Sequence, residues 1–239
     1  MSEMLDSAVE VRSGEELSLE VLEPFLREKL GCAEGEISIR QFPGGHSNLT
    51  YLIGIGDREF VLRRPPFGST VKSAHDMNRE FTVLSSLNPV YPAAPKPLVF
   101  CDDPAIMGAD FYVMERVRGV IFRAKQPDDF SPAPEQVRRM CTALVTNLAD
   151  LHGIDWRGIG LESLQRKEGF FMRRQVEGWA KRYAAAQTDD LPAVDRVIAW
   201  CLAHIPEDSG AVIIHNDYKF DNVVLNPEEL VDLGHHVGS

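Results

Sequence analysis

The stretch that decides the fold is His215-Asn-Asp-Tyr-Lys-Phe-Asp-Asn222. The apolar run Ala211-Val-Ile-Ile214 precedes it and is predicted to be a short buried strand, and Val223-Val-Leu225 follows it. A polar turn between two strands is the plainer interpretation. A solvated turn, however, is rarely enclosed so closely by apolar residues. The pattern therefore indicates a loop that carries chemistry.

The spacing of the polar residues in this loop matches the pattern H-x-D-x-x-x-x-N of a kinase catalytic loop. Phosphoryl transfer needs a carboxylate that takes the proton of an acceptor hydroxyl, and it needs a ligand for the metal on the phosphates. Asp217 is predicted to be the catalytic base and Asn222 a metal ligand. Lys219 is predicted to add positive charge at the γ-phosphate.

The rest of the chain is predicted to consist mainly of strands in its first half and of helices in its second half. Alternating and apolar runs predict an antiparallel meander over residues 37–42, 49–55 and 60–63, with another strand at residues 110–115. Helical spacing predicts helices near residues 18–30, 72–87, 131–152, 168–186 and 191–204. Pro24, inside the first helix, is expected to shift its start. Prolines over residues 89–97 predict a stiff connector. We expect a loose N-terminus (1–17), a β-rich lobe (18–118) and an α-rich lobe (119–239).

Three stretches resemble a known family. They are residues 42–51 (FPGGHSNLTY), residues 61–66 (VLRRPP) and residues 215–222. From Ile37 to Leu225 the chain resembles the aminoglycoside phosphotransferase and choline kinase-like enzymes, and most closely the branch associated with acyl-CoA dehydrogenases. The resemblance implies an α+β, two-lobed protein-kinase-like fold, with ATP and Mg²⁺ in the cleft between the lobes.

The loop after the first strand is the candidate cover for the phosphates. Two glycines between strands supply small residues and N–H groups, although any turn needs glycine. Their spacing fits neither the P-loop nor the dinucleotide fingerprint. The resemblance implies that nucleotide is bound here by Gly44, Gly45, His46, Ser47 and Asn48.

The third strand and the following helix supply a candidate ion pair. By resemblance, Arg63 is the cation at the α- and β-phosphates, with Arg64 as the alternative, and Glu80 is its partner. Each residue taken singly is most often a surface charge. The resemblance also places the hinge that holds adenine at Met114, Glu115 and Val117, whose residue types are equally those of an ordinary strand end.

The C-terminal region departs from the family pattern. Asp232 is the candidate for the second metal ligand, but it follows Asn222 by only ten residues, earlier than the pattern places it. Helices that build the acceptor pocket in the family are missing, so we expect a C-terminally truncated chain. We also expect self-association through the uncovered apolar faces of residues 137–151 and 191–202.

These observations predict an ATP-dependent phosphotransferase that acts on a hydroxyl of a small molecule. The acyl-CoA dehydrogenase association favours a hydroxyacyl acceptor, while sugars, choline-like alcohols and antibiotics stay open. The alternative is a catalytically impaired kinase-like binding module or inactive fragment. A protein kinase is a weaker hypothesis, because the chain ends where an activation segment would begin.

The composition of the chain argues against several kinds of partner and location. With 25 Lys and Arg against 36 Asp and Glu, the net charge of −11 argues against a nucleic-acid partner. Four widely spaced cysteines argue against a disulfide framework. The sequence has no apolar run of membrane-spanning length and no apolar signal core near Met1, so we expect a cytoplasmic protein without a membrane partner.

Overall fold

A computed structural model of the chain describes residues 7–43, 48–68, 76–122, 132–164, 171–207 and 210–226. These residues form two compact units. One unit comprises the described residues up to Leu151 together with those from His215 onward, and the other comprises those from His152 to Ile214. The sheet and the loop of Asp217 therefore belong to the same unit. The lobe boundary at residues 118–119 stays a prediction.

A five-stranded antiparallel sheet is the main feature of the first unit. Its strand order is β1-β2-β3-β5-β4, with β1 Ile37–Gln41, β2 Leu49–Ile55, β3 Arg58–Arg64, β4 Pro97–Cys101 and β5 Phe111–Glu115. Gly56 has φ 57°, which permits the two-residue turn that closes β2 onto β3. The predicted antiparallel meander is confirmed.

The two faces of the sheet differ in what they bury. Tyr51, Ile53 and Leu62 project from one face, where they are fully buried with the apolar side of α1 (Leu19–Leu30). The opposite face carries a smaller cluster in which Leu52 and Val61 pack together. Neighbouring residues of one strand therefore have different surroundings.

The N-terminal segment lies against the sheet. Residues 7–17 were expected to be loose, but Val9 pairs with Gln41 and the Tyr51 hydroxyl donates to the Glu15 carbonyl at 2.7 Å. Helix α1 begins at Leu19, so Pro24 does not move its start, and it ends at Gly31 in the left-handed conformation. The bonds to Val9 and Glu15 hold residues 7–17 against the sheet, because they pair polar groups that would otherwise be buried without a partner.

The connection between α2 (Met77–Leu87) and β5 is more structured than the sequence predicted. Strand β4 begins at Pro97, inside the proline-rich stretch that was expected to be only a connector, and α3 (Pro104–Met107) follows it. Pro97 is tolerated because β4 is an edge strand, where a missing N–H costs least.

Three longer helices follow β5 in the described residues. They are α4 (Pro134–His152), α5 (Phe171–Ala186) and α6 (Pro192–Ala203). The predicted buried strand at residues 211–214 is wrong, because the segment pairs with no strand of the described residues and three of its four side chains are exposed. The apolar residues of this segment suggested that it is buried, but burial also requires a neighbouring surface that covers them. With the sheet and these helices, the predicted α+β class is confirmed.

No helix in the described part of the chain is both long and apolar enough to cross a membrane. The cysteines are free thiols, of which Cys32 and Cys101 are buried while Cys141 is exposed.

Candidate functional site

The loop that begins at His215 folds around Asp217. Asn216 has φ 67°, a left-handed conformation that asparagine adopts more readily than most residues, and it turns the chain just before Asp217. Asn222 closes the loop from a short 3₁₀ turn. Its Nδ2 donates both to the Asp217 carbonyl and to Asp217 Oδ2, each at 2.8 Å. The predicted base and the predicted metal ligand are thus brought together.

The third predicted loop residue lies beside the same carboxylate. Lys219 Nζ is 3.5 Å from Asp217 Oδ1 and 3.9 Å from Asp221 Oδ2. All three side chains are between 45% and 66% exposed. A substrate hydroxyl could therefore reach Asp217 from solvent.

The far end of the loop is fixed to the segment after β5. Val120 and Leu225 exchange two backbone hydrogen bonds of 2.9 and 2.8 Å. Gly119 makes this approach possible, because a side chain there would overlap Leu225 O and Val224 Cγ1. Phe122 and Phe220 pack edge to face beside it, with ring centroids 6.1 Å apart.

The second group of candidate residues lies on β3 and on the helix α2 beside it. Arg63 of β3 and Glu80 of α2 meet with Nη2 and Oε2 3.7 Å apart, so the structure brings this predicted pair together. Glu80 makes closer bonds to neutral side chains. Asn48 Nδ2 donates to its Oε1 and the Tyr112 hydroxyl donates to its Oε2, both at 2.9 Å. Glu80 is therefore held in place by groups other than the cation.

Arg63 is incompletely satisfied in this arrangement. Its Nε is buried and has no hydrogen-bond partner among the described residues. An unpaired buried donor is costly, and an anionic group that reached it would relieve that cost. The role of Arg63 as the cation at the α- and β-phosphates stays a prediction.

The alternative cation, Arg64, lies on the opposite face of β3. It is 3% exposed, its guanidinium lies 3.6 Å from the centroid of the Phe67 ring, and its Nε donates to Pro65 O. Burial lowers the pKa of Arg64 from its usual value. Because Arg63 shares a face with Glu80 and Arg64 does not, the geometry favours Arg63.

Tyr112 is a residue that the sequence analysis missed. It is almost fully buried, pairs across the sheet with Arg63 and donates to Glu80. Burial, followed by the nearby Glu80 carboxylate, raises the pKa of Tyr112 well above its usual range. The hydroxyl therefore stays protonated as a donor. Only the pairing of β3 with β5, which the sequence did not reveal, could have identified it.

The predicted hinge begins where the sheet ends. Met114 pairs with Val61, and the Glu115 N–H donates to Lys96 O at 2.9 Å. Val117 lies beyond the ladder and is about half exposed. An unforeseen ion pair of 2.6 Å, between Arg116 and Glu59, ties the segment back to β3.

The remaining predicted residues fall outside the described parts of the chain. These are Gly44, Gly45, His46, Ser47 and Asp232. The described residues contain no cluster of three or more His, Cys, Asp or Glu side chains that could hold a metal. They do supply the Asp217 carboxylate and, hydrogen-bonded to it through Nδ2, the Asn222 side chain, whose amide also carries an oxygen. Oxygen donors of this kind fit Mg²⁺, a hard cation that keeps several waters and needs few protein ligands.

A comparison with protein families gives a match over most of the chain. The family model described as "Phosphotransferase enzyme family" matches residues 38–235. This range contains every candidate residue above. The resemblance noted from the three sequence stretches is therefore confirmed.

Curated relatives of known name are much longer proteins. Acyl-CoA dehydrogenase family member 10 of Mus musculus is 35% identical over 92% of this chain, and family member 11 of Rattus norvegicus is 34% identical over 92%. A probable acyl-CoA dehydrogenase, IBR3 of Arabidopsis thaliana, is 37% identical over 81%. The chain spans only 20%, 29% and 25% of these relatives.

Solved structures agree with the fold. A crystal structure from Ralstonia eutropha, provisionally named an aminoglycoside phosphotransferase, is 28% identical, with a TM-score of 0.74 over 90% of this chain and 62% of that one. A thermostable mutant of aminoglycoside phosphotransferase APH(4)-Ia is 15% identical, with a TM-score of 0.50 over 85% of this chain and 70% of that one. The kinase-like fold predicted from the sequence is confirmed.

Proposed function

The chain belongs to the phosphotransferase enzyme family, and from this premise we propose that it transfers the γ-phosphoryl group of ATP, with Mg²⁺, to a hydroxyl of a small molecule. The observation that carries the proposal is the pairing of Asp217 with Asn222 in one exposed loop. A base and a metal ligand at this spacing are the parts that phosphoryl transfer requires.

In the proposed reaction each residue has a separate task. Asp217 accepts the proton of the acceptor hydroxyl while the hydroxyl oxygen attacks the γ-phosphorus of ATP. The bond between the γ-phosphorus and the oxygen that bridges it to the β-phosphate breaks, and ADP leaves. Lys219 supplies positive charge near the transferred group. Arg63, oriented beside Glu80, binds the α- and β-phosphates. Asn222 would hold Mg²⁺, which neutralises charge on the phosphates when bound.

The adenine and the acceptor are assigned more coarsely. The backbone at Met114, Glu115 and Val117 is proposed to hold the adenine, with the loop from Gly44 to Asn48 over the phosphates. Similarity to segments of proteins named as acyl-CoA dehydrogenases supports a hydroxyacyl compound as the first acceptor to test. The cytoplasmic location stays a prediction.

The direct test replaces the candidate base and a matched neighbour. Asp217→Asn keeps the side-chain shape but removes the base, so ADP formation should fall by about a hundred-fold or more. Asp221→Asn removes a carboxylate from the same loop and should change the rate by less than about three-fold. Both are measured with Mg·ATP and hydroxyacyl-CoA, sugar, choline and aminoglycoside acceptors.

Three outcomes bear on the proposal. Equal rates for the two variants would contradict the role of Asp217. Mg·ATP binding without turnover for any acceptor would favour the impaired binding module. Transfer to one acceptor class alone would identify the substrate.

A further inference from the structure

Tyr218 is a half-buried residue of the loop that carries Asp217. It directly follows Asp217, and its side chain is half-buried while those of Asp217 and Lys219 are exposed. The Tyr218 hydroxyl donates to the Leu144 carbonyl at 3.0 Å and accepts a hydrogen bond from Asn147 Nδ2 at 2.8 Å. Both partners lie on α4, so one hydroxyl attaches the loop to a long helix.

A third hydrogen bond extends this attachment toward α2. The Tyr91 hydroxyl donates to the Asn147 carbonyl at 3.1 Å. Tyr91 follows α2, and its backbone N–H donates to Leu87 O at 2.8 Å. These hydrogen bonds, joined through the covalent frames of Tyr91 and Asn147, therefore connect the end of the helix that carries Glu80 with α4 and with the residue after Asp217.

The surroundings of these hydrogen bonds support them. Burial is the main cause that raises the pKa of the Tyr91 hydroxyl, so this hydroxyl stays protonated as a donor. The Tyr218 ring also packs edge to face against His215, with centroids 5.4 Å apart. Loss of the hydroxyl would leave this ring contact in place.

The other contacts of Asp217 do not fix its position in the molecule. Asn222 and Lys219 belong to the same loop, so their bonds define the shape of the loop rather than its location. The pairing of Val120 with Leu225 secures the far end. At the end that carries Asp217, the attachment to α4 is made by Tyr218.

We propose that Tyr218 is a positioning residue for Asp217, and that the chain Tyr91–Asn147–Tyr218 sets the distance between the candidate base and the helix that carries Glu80. This inference rests on the proposed function. In phosphoryl transfer the base and the phosphate-binding cation act on opposite parts of one nucleotide–acceptor pair, so a small displacement between them lowers the rate without preventing nucleotide binding.

The test compares two tyrosines that each lose one hydroxyl. Tyr218→Phe removes the attachment to α4 but keeps the ring. Tyr51→Phe removes a hydrogen bond of 2.7 Å to Glu15 O in the buried sheet, away from the loop. We measure kcat and KM for Mg·ATP by ADP formation, together with the thermal midpoint. Tyr218→Phe should lower kcat by about ten-fold and change KM by less than about two-fold. Tyr51→Phe should lower the midpoint at least as much but leave kcat unchanged.

A second variant and a second measurement separate the outcomes. Asn147→Ala removes one bond to the Tyr218 hydroxyl from the helix side, and it should lower kcat in the same direction by a smaller factor. Hydrogen exchange of the amides of residues 215–225 should be faster in Tyr218→Phe and unchanged in Tyr51→Phe.

Each result decides one of the two claims. If the unaltered chain forms no ADP with any acceptor, the proposed function is contradicted, and the exchange measurement alone decides the inference. Unchanged exchange in Tyr218→Phe overturns it. Equal losses of kcat in Tyr218→Phe and Tyr51→Phe also overturn it, because they indicate a general loss of stability.

Discussion

The two groups of candidate residues are held in different ways. Arg63 lies on β3 of the sheet and Glu80 on α2, which Tyr112 of β5 contacts by cross-strand pairing and by a hydrogen bond, respectively. Asp217 lies in an exposed loop that depends on contacts made by single side chains and by one pair of backbone bonds. We therefore expect one distant substitution to move the candidate base more easily than the candidate phosphate-binding pair.

The largest expected effect comes from Gly119, where the loop approaches the segment after β5. A Val side chain at this buried position would overlap Leu225 O and Val224 Cγ1 and break the backbone pair, which should destabilise the fold by about 3 kcal/mol. Chemical denaturation measures the change in the free energy of unfolding. An unchanged free energy would show that the approach is dispensable.

Gly178 provides the matched control. It lies inside α5, and a Cβ there would meet no atom within 4 Å. Gly178→Ala should therefore stabilise the helix by about 0.5–1 kcal/mol.

The candidate phosphate-binding residue is tested by substituting the two neighbouring arginines of β3. Arg63→Met should weaken Mg·ATP binding by about ten-fold or more, because it removes a charge-assisted contact to phosphate. Arg64→Met removes a guanidinium from the opposite face and should change the affinity by less than about two-fold. Titration calorimetry gives both values. Equal losses would mean that the face of β3 does not decide which cation binds.

The stabilisation of the chain by ATP should depend on the metal. Mg·ATP should raise the melting temperature of the unaltered chain more than ATP alone, because tighter binding to the folded state stabilises it further. Equal shifts with and without Mg²⁺ would contradict a metal held by Asn222.

The smallest expected change in stability concerns the helices. Val145 of α4 is 66% exposed and Trp200 of α6 is 61% exposed. Val145→Lys should alter the free energy of unfolding by less than about 0.5 kcal/mol but reduce self-association, because it interrupts an exposed apolar surface. Size-exclusion chromatography with light scattering measures the oligomeric state. A monomeric unaltered chain would contradict the predicted self-association.

Local patterns were sufficient for much of the fold. Alternation and the Gly56 turn predicted the meander of β1 to β3, and helical spacing predicted α4 to α6 within a few residues. Strand β4 was missed, because its prolines suggested a connector and only the neighbouring β5 makes it a strand. The strand predicted at residues 211–214 was wrong, because an apolar run is buried only where another surface covers it.

The sequence by itself determined which chemistry is available. The candidate base Asp217 and the candidate metal ligand Asn222 belong to one short loop, so they are close together whatever the rest of the chain does. Tertiary structure alone decided which arginine meets Glu80, because adjacent residues of a strand point to opposite faces and only the packing of α2 selects one. It also decided that Tyr112 supports Glu80 and that Tyr218 attaches the loop to α4. These contacts join residues 32 and 71 or more positions apart, and such distant pairs meet only when the chain folds.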